Sequence, residues 1–294
     1  MDAANKLKVL FIVNPISGGV AKDNWEDRIR AFFNDKPFEV LFSWLRGQND
    51  SECIRRELDY HQPDRVVAVG GDGTVKLVAQ QLNHTITPLG IIPAGSANGM
   101  ARELGLPATL EEALDVVAEG REKPIDVLLV NGKDICLHLS DIGMNAQLVK
   151  YFEKSNLRGK LGYARGALRV LLRRRRMRVE IRTGDTVLRR VAVMVVIANA
   201  RMYGTGAVIN PDGDVSDGMF EVVVMRRFTL WEVIKMFWRY RPFNPKNVEI
   251  LRASAIRIET RRRAYFQIDG EYRGRVKTIE AEIRPGGLRV LLPS

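Results

Sequence analysis

The chain has 294 residues, 46% of them hydrophobic, and a formal net charge of +11. It is longer than the commonest single domain, so we expect two domains, each with enough apolar residues for a core. The charge indicates an anionic partner: a nucleotide, a nucleic acid or a membrane surface with anionic lipid. The short polar start and the lack of a long apolar run argue against a signal peptide and a membrane-spanning helix.

Cysteine and histidine are sparse. Cys53 and Cys136 lie in apolar or helical surroundings, and we predict free buried thiols of a reducing, cytoplasmic compartment. The histidines, His61, His84 and His138, do not cluster, which argues against a histidine-based metal centre.

Apolar strands, small-residue turns and amphipathic helices alternate up to about residue 120. Strands are predicted at residues 8–14, 38–44, 66–69 and 89–93. Helices are predicted from Trp25 onward, at 51–60, at 75–82, up to Leu104 and at 110–118. This order is typical of an α/β domain with a doubly wound, mostly parallel sheet, which we assign to residues 1–124.

The third strand and its turn read Val-Val-Ala-Val-Gly-Gly-Asp-Gly-Thr from Val66 to Thr74. Glycines let a ligand approach the backbone, and the amides of the turn and of the next helix start form a phosphate pocket. Asp72 would repel a bare polyphosphate, but it suits a metal ion or a hydroxyl that loses its proton. A plain strand-to-helix turn is the alternative.

Small and polar residues follow several of the predicted parallel strands. Because ligands gather at the carboxyl ends of such strands, we expect these residues on one rim of the sheet. They are Asn14, Ser17, Gly18, Ser43, the turn from Gly70 to Thr74, and Ser96. The rim favours a nucleotide-phosphate site, although its turns match neither the Rossmann pattern nor a Walker A loop.

After Pro124 the pattern changes to short strands separated by turns such as Asn131-Gly132, Gly184-Asp185 and Gly286-Gly287. Strands are predicted at 125–130, 135–139, 179–182, 187–196, 220–225, 255–259, 264–268, 279–283 and 288–292, with helices at 157–176 and 230–239. This favours an antiparallel β-sandwich domain over residues 125–294. Whether the last strand returns to the first domain stays open.

Two acidic segments stand out in the second half. The loop 210–218 is dense in carboxylates, which suits Mg²⁺ or Ca²⁺, with an ordinary polar turn as the alternative. Asp269 and Glu271 end an apolar strand, and their spacing of two places both side chains on one face. Paired carboxylates suit proton transfer beside a metal or an orienting group, and a simple hairpin turn is the alternative.

The predicted helix at 157–176 is strongly basic and ends in the arginine run from Arg173 to Arg176. Leucines interleave with the charges, so the helix presents either a face for anionic lipid or a solvated surface. The aromatic residues nearby either extend that face or are buried; they are Trp231, Phe237, Trp238, Tyr240 and Phe243, beside Arg239 and Arg241.

Taken together, the motifs resemble the diacylglycerol kinase catalytic family, which includes bacterial lipid kinases, sphingosine kinases and ceramide kinases. The matching stretches are 14–18, 70–74, 93–98, 217–218 and 269–271, in family order and over nearly the whole chain. The resemblance implies a nucleotide-binding fold like that of NAD kinases and lipid kinases, a β-rich lipid-binding lid, and ATP in the cleft between them. NAD kinases share the 70–74 turn, but residues 93–98 look like the lipid kinases.

The resemblance also implies roles for individual residues. ATP would be bound by Asn14, Pro15, Ser17, Gly18, Ser43, Gly70, Gly71, Asp72, Gly73, Thr74, Ser96 and Asn98. Asp72 would be linked to Mg²⁺ or to the proton, and Asp217 would hold a structural Mg²⁺ with the backbone of Asp214 and Met219. Asp269 and Glu271 would lie at the reacting hydroxyl, with Glu271 as the proton acceptor.

Four residues depart from the family pattern. Lys76 and Leu77 replace a usual Asn-Glu pair, and Lys76 could reach a phosphate. Gly99 replaces a frequent Asp. Gln147 replaces the carboxylate that sphingosine kinases use on the lipid head group. A neutral amide does not pair with an ammonium, which argues against a sphingoid base and favours a neutral glycerolipid or another hydroxylated lipid.

We therefore predict an ATP- and Mg²⁺-dependent lipid kinase, cytoplasmic and peripherally bound to anionic membrane through basic residues. The alternatives are an NAD-kinase-like enzyme and a nucleotide- or lipid-binding regulator that has lost catalysis. Nothing in the sequence resembles a nucleic-acid-binding module, so we expect no nucleic-acid partner. A homodimer stays open.

Overall fold

The computed structural model describes residues 6–19, 24–154, 175–237 and 242–294. The chain divides into two compact units. The N-terminal unit comprises Met1–Ile125 and Gly286–Ser294, and the β-rich unit comprises Asp126–Pro285. In the parts of the chain that the structure describes, each helix is too short or too polar to cross a membrane.

The N-terminal unit alternates strands and helices. They are β1 (Leu7–Val13), α1 (Trp25–Phe33), β2 (Phe38–Trp44), α2 (Asp50–His61), β3 (Arg65–Gly70), α3 (Asp72–Leu82), β4 (Leu89–Pro93), α4 (Gly99–Glu103), α5 (Leu110–Glu119) and the start of β5 (Arg121–Val130). The strands form a parallel sheet in the order β2–β1–β3–β4. The predicted doubly wound α/β fold is confirmed.

Helices cover the parallel sheet on both faces. Phe11 and Val67 point into a cluster with Ile29 of α1 and Leu114 of α5. Residues whose side chains point to the other face of the sheet, such as Leu10, are fully buried as well. Helix α3 contacts both β3 and α2. Strands buried on both faces need continuous apolar runs rather than alternation, which is why the sequence pattern identified them.

The β-rich unit continues from β5. Its elements are β6 (Asp134–Cys136), β7 (Leu139–Gly143), α6 (Met144–Lys154), β8 (Met177–Thr183), β9 (Thr186–Ala192), β10 (Met194–Ala198), β11 (Phe220–Met225), α7 (Leu230–Phe237), β12 (Val248–Ala253), β13 (Ala255–Ile268) and β14 (Glu271–Leu292). An antiparallel path runs β12–β11–β10–β7–β13, and β8 pairs with β13 and β9.

Successive residues of β10 enter different cores. Val195 and Ile197 belong to one apolar cluster, and Val196 and Ala198 belong to a second. A strand that is buried on both sides is the middle of a layered structure. The antiparallel β-rich architecture predicted for the second half is confirmed.

Several predicted element boundaries are wrong. The strands predicted at 255–259 and 264–268 are one strand, β13, with a register shift against β14 between Glu259 and Ala264. Gly286-Gly287 is not a turn but lies inside β14, where Gly286 takes a φ of +60°. The strand predicted at 187–196 is divided at Val193 into β9 and β10.

The sequence analysis also missed α6 and β12. Cys136 is buried as predicted, but Cys53 is only half-buried. Trp231 and Phe237 are exposed rather than buried. The predicted basic helix lies outside the described residues except for Arg175 and Arg176, as do residues 238–241.

The end of β14 belongs to the N-terminal unit. Val290 of this segment pairs in parallel with Leu89 of β4. Arg121 at the start of β5 donates to the carbonyl of Pro293, which further holds the segment to the unit.

Candidate active site

Three turns meet at the carboxyl ends of β1, β3 and β4 in the N-terminal unit. The Asn14 amide donates to the Thr74 hydroxyl over 3.1 Å, and its backbone N–H donates to the Val69 carbonyl over 3.0 Å. The Ala94 N–H donates to the Gly70 carbonyl over 2.8 Å. The turn after β3 is therefore hydrogen-bonded to the turns on both sides of it.

Two glycines let these turns approach backbone to backbone. Gly18 has a φ of +72°, and a Cβ built there would lie 2.4 Å from the Ala94 carbonyl oxygen. A Cβ on Gly95 would lie 2.4 Å from the Gly71 Cα. Both distances are shorter than any ordinary contact, so only glycine fits and the rim is a surface of main-chain atoms.

Asp72 connects the central turn to α4. Its carboxylate accepts the N–H groups of Gly99 and Met100, each over 3.0 Å, and so caps the helix. Asn98, with a φ of +51°, closes the third turn: its side chain accepts from the Gly95 N–H over 2.8 Å and donates to the Gly95 carbonyl over 2.9 Å. Sequence reasoning did not find the cap, because the stretch from Asn98 to Met100 carries no special signal for it.

The start of α3 has the chemistry of an anion site. Gly71 is the N-cap, and its carbonyl accepts the N–H groups of Thr74 and Val75. The earlier N–H groups of a helix have no partner within that helix and attract negative charge. Gly73 in this first turn has open space around its Cα.

The other residues predicted to bind the nucleotide differ in how exposed they are. Pro15 and Ser96 are exposed on their turns, and the Ser17 hydroxyl donates to the Asn14 carbonyl over 3.2 Å. Ser43 is 6% exposed in β2, opposite Ile12 of β1, so its hydroxyl is nearly closed to a ligand.

Lys76 is not an exposed cation. Lys76 is only 4% exposed and lies on the buried side of α3. The contact with a phosphate that the sequence suggested would require the amine to leave that position.

The hairpin turn between β13 and β14 contains Asp269, and Glu271 is the first residue of β14. Asp269 has a φ of +49°, and its carboxylate accepts the N–H groups of Leu137, His138 and Leu139 over 3.2, 2.9 and 3.3 Å. These bonds attach the hairpin to the segment between β6 and β7. The Cys136 thiol lies 3.2 Å from the same carboxylate.

Glu271 has a different environment from its neighbour. Its side chain is 50% exposed and forms an ion pair with Arg273 over 2.6 Å. The hairpin thus holds one carboxylate that orders the backbone and one that a ligand can reach.

Asp141 is a buried carboxylate that sequence reasoning missed. It accepts from Asn145 and Gln267 over 2.6 Å each, and from the Ala146 N–H over 2.9 Å. Burial raises the pKa of Asp141 to about 6, against the effect of these hydrogen bonds. A single Asp within the apolar strand β7 was the available signal.

The acidic loop predicted to bind a metal is held by protein groups. Asp217 forms an ion pair with Arg252 and accepts the Met219 N–H over 3.0 Å. Asp214 accepts the N–H and the hydroxyl of Ser216 over 2.9 and 2.7 Å. Over the described ranges, no group of three or more His, Cys, Asp or Glu side chains is arranged to hold a metal.

The chain therefore consists of an α/β unit with three glycine-rich turns at one sheet edge and a β-rich unit, and known families contain matching domains. The diacylglycerol kinase catalytic domain matches residues 8–130. The YegS C-terminal NAD kinase beta sandwich-like domain matches residues 140–292. The chain belongs to the diacylglycerol kinase/YegS family of lipid kinases.

Similar proteins cover nearly the whole chain. A diacylglycerol kinase of Bacillus subtilis strain 168 is 26% identical over 273 residues, which are 90% of this chain and 89% of the relative. A Klebsiella pneumoniae strain 342 protein named "Probable lipid kinase YegS-like" is 30% identical over 261 residues, 86% of each chain.

Solved structures share the fold. The crystal structure of a diacylglycerol kinase from Bacillus anthracis strain Sterne has a TM-score of 0.76, with 21% identity and coverage of 97% of this chain and 96% of that one. An NAD kinase from Archaeoglobus fulgidus, solved with ATP, has a TM-score of 0.55 and 15% identity over 97% of this chain and 93% of its own. The likeness to the NAD kinase is one of fold alone.

Proposed function

We propose that this lipid kinase transfers the γ-phosphate of ATP, with Mg²⁺, to a hydroxyl of a neutral glycerolipid such as diacylglycerol. The observation that carries the proposal is the meeting of the three turns 14–18, 70–74 and 94–98 in the N-terminal unit. Phosphoryl transfer depends on positioning and charge neutralisation, and such a main-chain surface supplies both.

The turns fit a polyphosphate chemically. They offer backbone N–H groups at the start of α3 and along glycine turns, where no side chain blocks the approach. The Asn14 and Ser17 side chains, the Gly70–Thr74 turn and the exposed Ser96 would surround the phosphates. Pro15, Gly18 and Asn98 would shape the turns, and Ser43, being buried, would act by supporting the rim.

A magnesium ion would be held at Asp217 with the carbonyls of Asp214 and Met219. One carboxylate and backbone carbonyls are a donor set that Mg²⁺ accepts together with water. The Arg252 ion pair already balances the Asp217 charge, so the ion would compete with this guanidinium. Bound there, Mg²⁺ would be a structural ion that orders the acidic loop, distinct from the Mg²⁺ that neutralises the phosphates of ATP.

Glu271 would accept the proton of the lipid hydroxyl, because its exposed carboxylate can be reached by a substrate. Asp269 would be a positioning residue rather than the base, since backbone N–H groups already occupy its carboxylate. Asp72 would hold the central and third turns in register through its cap on α4.

The proposed acceptor is a neutral glycerolipid, because the α6 residue Gln147 carries an amide that cannot pair with an ammonium. The protein would work at the surface of an anionic membrane. Its exposed Arg175 and Arg176 are the described part of the basic run that would contact lipid.

The test is phosphate transfer from labelled ATP to a panel of acceptors in mixed micelles: diacylglycerol, monoacylglycerol, sphingosine, ceramide and NAD. We expect diacylglycerol or monoacylglycerol to be labelled, with a loss of about 100-fold in Asp72→Asn, because the weakened cap on α4 would displace the turns that position the nucleotide. Asp59→Asn, an exposed residue of α2 with the same charge change, is the matched control and should keep full activity.

Two results would reject the proposal. Labelling of NAD without any lipid product would favour the NAD-kinase alternative. ATP binding by calorimetry without transfer to any acceptor would favour a regulator that has lost catalysis.

A further inference from the structure

The β-rich unit contains a cleft of about 650 Å³ lined by arginines. We call them the cleft arginines: Arg175, Arg176, Arg178, Arg261, Arg262, Arg263 and Arg275. The other lining residues are uncharged, so among the described residues the lining carries no carboxylate. A cleft lined by one sign of charge concentrates ions of the opposite sign.

The cleft arginines differ from other arginines of the same unit. Arg182, Arg257 and Arg284 each form an ion pair with a glutamate over 2.5–2.8 Å. Within the described ranges, none of the cleft arginines has a carboxylate at ion-pair distance, although five of them lie on the same strands, β8, β13 and β14. Grouped like charges repel each other, so a group without counter-charges is an arrangement that an anionic ligand would stabilise.

Distant parts of the chain form the walls. Residues 261–263 lie where β13 shifts register against β14, and all three of these arginines line the cleft. Arg178 comes from β8, which pairs with β13 through Val179 and Thr260. Pairing of β8 with β13 thus brings two arginine groups together that are far apart in the sequence.

One cleft arginine is held in place by an aromatic ring. The Arg275 guanidinium lies 4.9 Å from the ring centre of Tyr265 and donates to the Arg263 carbonyl over 3.2 Å. The Lys150 amine lies 4.9 Å from the same ring and 5.2 Å from that of Tyr272. These contacts fix one guanidinium and add a further cation beside it, which lowers the entropy cost of binding.

We propose that this cleft is a binding site for a phosphate ester. The planar guanidinium group binds two phosphate oxygens at once, which makes arginine the usual residue for recognising phosphate. The volume exceeds that of one small ion and is in the range of sites for a whole ligand, so it suits a phosphorylated head group or a small sugar phosphate.

The ligand is either the phosphate-bearing head group of a membrane lipid or a soluble phosphate ester, since both offer the same chemistry. This site is additional to the nucleotide turns and to Glu271, but it shares Gln147, Arg175 and Arg176 with the proposed lipid contacts, so its assignment to a lipid head group rests on the proposed function. Its occupation involves no transfer of phosphate. Binding can therefore be measured without ATP turnover, and a failed kinase assay would leave it standing.

The test compares two triple variants of the full-length chain. Arg261→Gln/Arg262→Gln/Arg263→Gln removes three charges from the cleft, whereas Arg182→Gln/Arg257→Gln/Arg284→Gln removes three charges from the same unit outside it. Binding of glycerol 3-phosphate is measured by calorimetry. Binding to phosphatidylcholine vesicles, with and without phosphatidate, is measured by flotation.

We expect the wild-type protein to bind at least one of the two probes, glycerol 3-phosphate or phosphatidate-containing vesicles. The cleft variant should bind about tenfold or more weakly, and the control variant within about twofold of wild type. Glycerol 3-phosphate binding identifies a soluble ester, and binding confined to phosphatidate vesicles identifies a lipid head group. The variant Arg176→Gln/Arg178→Gln removes two charges from the neighbouring segment and should weaken the same binding. A matching loss in this second variant shows that the first loss does not come from misfolding.

Three results would overturn the proposal. The first is no binding to either probe by wild type. The second is an equal loss in the cleft and control variants, which would show a general effect of charge. The third is tighter binding of a single-stranded RNA than of both probes, lost in the cleft variant, which would make the cleft a nucleic-acid site.

Discussion

Replacing Gly95 by alanine tests whether the close approach of the turns forms the phosphate site. The new Cβ would lie 2.4 Å from the Gly71 Cα, 3.1 Å from the Gly71 nitrogen and 2.8 Å from the Asn98 Oδ1. Carbon atoms in contact are normally about 3.5–4.0 Å apart, so the third turn must move by about 1 Å or more. Overpacking of this kind costs about 1–3 kcal/mol.

A shift of about 1 Å in groups that position a substrate can reduce turnover about 100-fold. We therefore expect Gly95→Ala to lower kcat/KM by about that factor, with weaker ATP binding and a fall in Tm of roughly 2–10 °C. The assay is steady-state transfer from labelled ATP to diacylglycerol, with ATP binding by calorimetry and Tm by circular dichroism.

Gly105→Ala is the matched control. Gly105 has a φ of +66° with open space around it, so alanine there costs about 1–2 kcal/mol through backbone strain alone. Its activity should stay within about twofold of wild type at a temperature where both variants are folded. Near-normal activity of Gly95→Ala, or equal losses in both variants, would refute the argument that the turns must touch.

Three further predictions concern the β-rich unit. Arg190 lowers the pKa of Glu249 to about 2, so this carboxylate stabilises the fold above about pH 5 and the benefit is lost as the pH falls toward 2. The stability difference between wild type and Glu249→Gln in urea should shrink by about 2 kcal/mol between pH 7 and pH 3, and a constant difference would contradict this. Arg252→Gln frees Asp217 and should tighten Mg²⁺ binding up to about fivefold, seen as a larger rise in Tm with MgCl₂; an unchanged response would place the ion elsewhere. Glu271→Gln should reduce kcat by at least about 100-fold at unchanged ATP affinity, and an unchanged kcat would exclude it as the base.

The parallel sheet could be predicted because its signal is local. Residues 66–69 form an apolar, mostly β-branched run that ends at glycine, and β2 and β4 have the predicted bounds. Gly286 shows where such reasoning fails. A Gly-Gly pair is typical of a turn, but here Gly286 takes a positive φ inside the continuous strand β14. The sequence alone does not distinguish a turn from a strand that contains one such glycine.

The partners of the site residues could not be predicted, because they are distant in the chain. Asp72 was identified from its glycine turn. Its hydrogen bonds to Gly99 and Met100 depend on the register between β3 and β4, which the sequence does not give. Asp269 likewise meets residues 137–139 only through the pairing of β7 with β13. The roles of these residues in catalysis stay predictions.

The cap that Asp72 provides for α4 decides how charge is divided between two helix ends. Both α3 and α4 begin beside this one carboxylate, and each helix start carries a partial positive charge. Because both oxygens of the carboxylate are turned toward α4, its negative charge is compensated there, and the start of α3 keeps its attraction for an anion. A carboxylate in the middle of a phosphate turn is then compatible with a polyanion, since the rotamer of a single side chain directs its charge toward the neighbouring helix.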